Sequence, residues 1–106
     1  MAKLTVDIQE GFRGDSVVVK VDGKVAFSKD GVTTQLLRGP AAAFSTEVND
    51  SGRPVKLHVI VKTRNLEGSK EYRVNEDMHV GISIEESGSG GGKEEIVFRE
   101  GPFGYL

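Results

Sequence analysis

The chain predicts an all-β fold, an antiparallel β-sandwich of about eight or nine strands, with a small β-barrel or jelly roll as the alternative. Three observations carry that prediction. Val, Ile, Phe and Thr recur at every second residue in short runs, the period of a strand with one buried face. Gly, Asn and Asp interrupt the runs about every ten residues, as turns do. Outside one short stretch, no window has the 3.6-residue period of an amphipathic helix. At 106 residues the chain is one domain, spanning 1–106.

The first inward face is Leu4, Val6 and Ile8, and the second is Val17 and Val19. Val25 and Phe27 form a third, and Val32, Thr34 and Leu36 a fourth. Phe44, Thr46 and Val48 follow, then the clearest run, Val55, Leu57, Val59 and Val61. Tyr72 with Val74, then Val80, Ile82 and Ile84, and finally Ile96 with Phe98 complete nine runs. Each well-buried large apolar side chain contributes about 1.5–3 kcal/mol, so these positions are enough for one double-layered core.

The Val21-Asp22-Gly23-Lys24 turn bears on register. A two-residue Asp-Gly loop would set Val17 against Ser28 and Val19 against Ala26. A three-residue loop with Gly23 in a G1 bulge sets Val19 against Val25 and Val17 against Phe27, and hydrophobic matching selects it. Further turns are expected at residues 49–54, at 65–69 and at the Gly-rich tip 88–92. Gly39-Pro40-Ala41-Ala42-Ala43-Phe44 suits one short helical turn near 40–44 as well as it suits a strand from Ala42. Many short strands at this spacing resemble a Greek-key, immunoglobulin-like sandwich.

Composition narrows the function classes. The formal charge of -2 gives no basic field for nucleic acid. No stretch has the ~20 apolar residues of a membrane helix, and Met1-Ala2-Lys3-Leu4 opens no secretory signal, so the chain reads as soluble, its compartment unknown with the cytoplasm slightly favoured. With no Cys there is no disulfide framework, thiol chemistry or thiolate metal site.

If every strand reverses direction, nine strands gather residues 11–15, 29–31, 49–53, 75–77 and the tail at one end. Hard oxygen donors concentrate there: Asp15, Asp30, Asp50, Glu76 and Asp77 are the set expected to hold an ion, and calcium is the ion such loops take. The plainer reading is that Asp and Asn serve their own turns. Phe12, Arg13, Asp15, Phe103 and Tyr105 fall at the same end and form the candidate ligand platform, aromatic faces beside charge. Phe12 also reads as a core plug. The apolar tail Gly101-Pro102-Phe103-Gly104-Tyr105-Leu106 suggests either a fold-back or a homo-oligomer contact. Arg13-Gly14-Asp15 resembles an integrin-binding adhesion tripeptide, although chance and ordinary turn chemistry account for it.

His58 and His79 fall on outward positions, and a zinc site would need their strands adjacent with Glu85 between them. No nucleophile elbow is visible, and the Gly-rich tip lacks the helix of a phosphate cradle. Charge is uneven: residues 53–75 carry six basic and two acidic side chains, and residues 76–106 two basic and seven acidic. Adjacent strands would pair these blocks as ion pairs, whereas opposite sheets would make a dipole.

The expected function is therefore a non-catalytic module that binds a protein or glycan through loop-end residues or a strand edge. A self-assembling subunit using the apolar tail is the second reading. A metal-assisted hydrolase is the third.

Overall fold

The computed structural model describes residues 2–34, 42–48, 53–87 and 93–101. These form eight strands in two four-stranded sheets that pack as a sandwich. The strands are β1 (Ala2–Ile8), β2 (Asp15–Val21), β3 (Lys24–Val32), β4 (Ala42–Val48), β5 (Pro54–Val61), β6 (Leu66–Arg73), β7 (Met78–Ser87) and β8 (Lys93–Glu100). A single 3-10 turn, Lys62–Arg64, links β5 to β6. One sheet has the order β4-β1-β7-β8 and the other β3-β2-β5-β6. Every neighbouring pair is antiparallel except β1 with β7. An immunoglobulin constant domain keeps its first two strands in one sheet, whereas here β1 and β2 lie in opposite sheets.

The alternation read from the sequence becomes the core in β1, β2, β5 and β7, whereas Val25, read as inward, is 59% exposed on β3. Leu4, Val6 and Ile8 of β1, Val17 and Val19 of β2, Leu57, Val59 and Val61 of β5, and Val80 and Ile82 of β7 are all sealed from solvent. Their outward neighbours Lys3, Lys56 and His79 are exposed. The sandwich is closed at one side where β6 meets β8. Gly68 permits this, because a Cβ there would sit 3.2 Å from the Ile96 side chain. On the other side β3 faces β4 more loosely, bridged by Phe27 stacked on Phe44 at 5.2 Å.

Three expectations are corrected. The turn expected at residues 29–31 is absent, since β3 continues from Lys24 to Val32 through Asp30 and Gly31; Val32 of the fourth run ends that strand, Thr34 follows it, and Leu36 lies outside the described residues. Gly68 and Ser69 belong to β6, and the turn before it is 62–65, closed by Asn65 in the left-handed region at φ 50°. The β2–β3 loop is the two-residue Asp22-Gly23, both at positive φ, with Val21 opposite Lys24. The bulge lies not in that turn but beside Ala26, and it brings Phe27 opposite Val19. This kink inside the strand matches Val19 with Phe27, but Val17 faces Lys29 and Val25 faces Lys20, so neither expected pair, Val19–Val25 nor Val17–Phe27, forms.

Ala42 to Phe44 are strand, while residues 40 and 41 lie outside the described residues, as do Leu36, residues 49–52 and the Gly-rich tip. The basic block 53–75 forms β5 and β6 and the acidic block 76–106 contributes β7 and β8, so they occupy opposite sheets.

Candidate functional site

Because β3 runs through the turn expected at residues 29–31, the described residues form eight strands and the two ends of the sandwich collect different loops. One end gathers residues 9–14, 33–34 and 62–65. The other gathers 22–23, 74–77 and Gly101. Strand β5 alone places roughly 23 Å between them.

At the first end the chain ties itself into a polar knot. Asp15 opens β2 and is 3% exposed. Its Oδ1 accepts from the Thr63 hydroxyl at 2.5 Å and from Arg64 Nε at 3.1 Å. Its Oδ2 accepts from Arg64 Nη2 at 2.9 Å and from the Arg13 backbone N–H at 2.8 Å. Arg64 Nη2 also donates to the Gly11 carbonyl at 2.8 Å, and Nη1 to Glu94 at the start of β8. The planar guanidinium therefore joins a loop, two strands and both sheets. Burial alone would raise the Asp15 carboxyl. The hydrogen bonds from Arg64, Thr63 and Arg13, with the Arg64 charge, outweigh it and hold the group below its ordinary 3.8. The Asp15 hydrogen bond in turn raises Arg64, against the opposing effect of burial.

The loop beside the knot is equally fixed. Phe12, 1% exposed, plugs the core, and its backbone N–H donates to Thr34 Oγ1 while its carbonyl accepts from the Thr34 N–H, both at 2.9 Å. Gly14 N–H donates to Thr33 Oγ1 at 3.0 Å. Of the described members of the ligand platform, Phe12 and Asp15 thus face inward and Arg13 faces solvent. The adhesion tripeptide has its carboxylate wholly engaged by Arg64, Thr63 and Arg13. Phe103 and Tyr105 lie outside the described residues.

The acidic set is not brought together. Asp15 is at the first end, and Asp30 stands exposed on β3. Glu76 and Asp77 are at the far end, where Asp77 Oδ1 accepts from the Lys3 N–H at 2.8 Å. Asp50 lies outside the described residues. His58 and His79 stand on opposite sheets: His58 Nε2 is 3.5 Å from Glu67, and Glu85 pairs with Arg99. Among the described residues, no three His, Asp or Glu side chains converge as a metal requires.

Tyr72 is the other buried polar group of note. Its hydroxyl has no hydrogen-bond partner among the described residues. Burial, reinforced by Glu100, pushes its pKa up to about 12.

The four edge strands differ in a way the sequence reading did not draw out. β3 carries two bulges with Lys24, Lys29 and Asp30; β6 carries Glu67, Lys70, Glu71 and Arg73; β8 carries five charges in eight residues. Each has a device that blunts strand addition. β4, Ala-Ala-Phe-Ser-Thr-Glu-Val, has one charge, no Pro and no Gly, and it pairs with β1 one to one over seven residues without a bulge. Beside it lies Val25, 59% exposed and the one large apolar side chain left so among the described residues. A shallow groove bordered by Val21, Val25, Thr46 and Val48 runs between β3 and β4.

No family model matches the chain. No curated protein and no solved structure is significantly similar to it either.

Proposed function

We propose that this protein is a non-catalytic interaction module that receives an extended segment of a protein partner along the outer edge of β4. The observation that carries the reading is the contrast among the four edges, three blunted and one plain among the described residues. An unguarded edge offers a row of N–H and C=O groups to a peptide, and alternate side chains then meet the neighbouring surface, here the apolar border formed by Val25, Phe27 and Phe44. Loop-end binding of a protein or glycan has less support, because Phe12 and Asp15 are engaged within the domain. A hydrolase has less again, with His58 and His79 on opposite sheets.

The test is selection of a displayed peptide library on the immobilised protein, followed by hydrogen exchange of the complex. Peptides with alternating apolar residues are expected, with slowed exchange confined to β4 amides. Protection centred on residues 9–14 and 62–65, or failure to select any peptide, would overturn the reading.

A further inference from the structure

We infer that a second copy of this chain occupies the β4 edge, the two β4 strands running antiparallel about a two-fold axis at Ser45. The inference rests on the reading of that edge as a docking site and names its occupant. Closed pairs of identical chains are two-fold, so a strand that joins its own copy must be complementary to its own reversal. β4 is. With the axis at Ser45, Ala42 meets Val48, Ala43 meets Glu47, and Phe44 meets Thr46. All seven residues are paired. The one acidic side chain meets a methyl, and Lys3 lies opposite it on β1 within its own copy. The two Glu47 positions end four residues apart along the strand, roughly 13 Å, which is beyond the screening length at physiological salt of about 8 Å. Of the four edge strands β4 alone has a single charge; β3 has three, β6 four and β8 five.

The register also respects the faces. Ala42, Phe44, Thr46 and Val48 point to the core side, and about Ser45 they pair only with one another. The product is one eight-stranded sheet in the order β8-β7-β1-β4-β4-β1-β7-β8, with both inner faces on the same side. Strand pairing alone covers less than the ~1,000 Å² of a stable interface. The rest is available at the loose side of the sandwich, where Val25 is exposed and the Phe27–Phe44 stack is half-buried. Both lie beside the edge that the second copy would cover.

The deciding experiment is sedimentation equilibrium of the full chain from micromolar to millimolar, with Ser45→Lys and Ser45→Glu, each checked for an unchanged circular dichroism spectrum. Ser45 is exposed and two copies of it stand opposite at the axis. The wild type is expected to dimerise and each variant to dimerise more weakly by roughly fivefold, the cost of like charges directly opposed. An equimolar mixture of the two variants is expected to restore the wild-type constant. A chain that stays monomeric at millimolar concentration, or a dimer indifferent to both variants, overturns the inference. A monomeric chain that still selects peptides protecting β4 overturns the second copy as occupant and retains the docking edge. A chain that does neither loses both.

Discussion

Asp15 shows how far a single side chain can mislead and then inform. In sequence it is a turn acid beside Arg13 and Gly14; in the folded chain both its oxygens are taken by Arg64, Thr63 and a backbone N–H. Arg64→Leu would strand that carboxylate, and breaking a buried pair this way costs about 3 kcal/mol, read as a shift of the urea midpoint. The pH sign follows from the depressed pKa. Between its folded value and 3.8 the unfolded chain binds the extra proton, so the stabilisation is complete above 3.8 and is lost as pH falls through the lower, folded value. Asp15→Asn should flatten that acid limb of the stability–pH curve. Tyr72 acts at the alkaline end: raised from 10 to about 12, it contributes stability that is present below 10 and lost as pH rises through 12. Tyr72→Phe should remove that loss. It should also leave stability at pH 7 unchanged or higher by up to about 1 kcal/mol, since the hydroxyl has no described partner. At this scale the sequence showed which residue types were present and not who met whom. Arg64 reaches Asp15 across 49 positions, and nothing in the local pattern of either announces the other.

Elements were the most legible level, and the misreadings there have definite causes. Alternation located the inward positions of β1, β2, β5 and β7 because the period of a pleated strand is read directly from side chains. It failed at Asp30-Gly31, where turn residues occur within a strand: Gly31 at φ 69° serves the second irregularity of β3 instead of a chain reversal. Glycines now separate into two kinds. Gly11 sits at φ 89° with the Ile84 carbonyl 2.2 Å from where a Cβ would be, whereas the space around Gly14, at φ 63°, is open. Gly11→Ala should therefore cost about 3 kcal/mol and Gly14→Ala only about 1 kcal/mol, compared by equilibrium unfolding.

For the whole molecule, one strand boundary mattered more than any residue. Alternation of strand direction holds from β1 to β8, and with nine strands it would have placed Asp15 beside Glu76 and Asp77. With eight it separates them by the length of the sandwich and brings Arg64 to Asp15 instead. Millimolar calcium should accordingly leave the thermal midpoint unchanged, which differential scanning calorimetry would check; a raised midpoint would mean that carboxylates converge outside the described residues. The topology has a second consequence for assembly of the fold. β1 is central in its sheet, flanked by β4 and β7, and Lys3 bonds to Asp77 74 positions away. During synthesis at about 5–20 residues per second, the first strand leaves the ribosome roughly 4 to 15 seconds before its parallel neighbour. For roughly the first half of that interval β1 has neither flanking strand, and once β4 has emerged it has only one of the two. Nascent chains arrested before residue 78 should be cut readily by protease and bound by holdase chaperones, and both sensitivities should vanish once β7 has emerged.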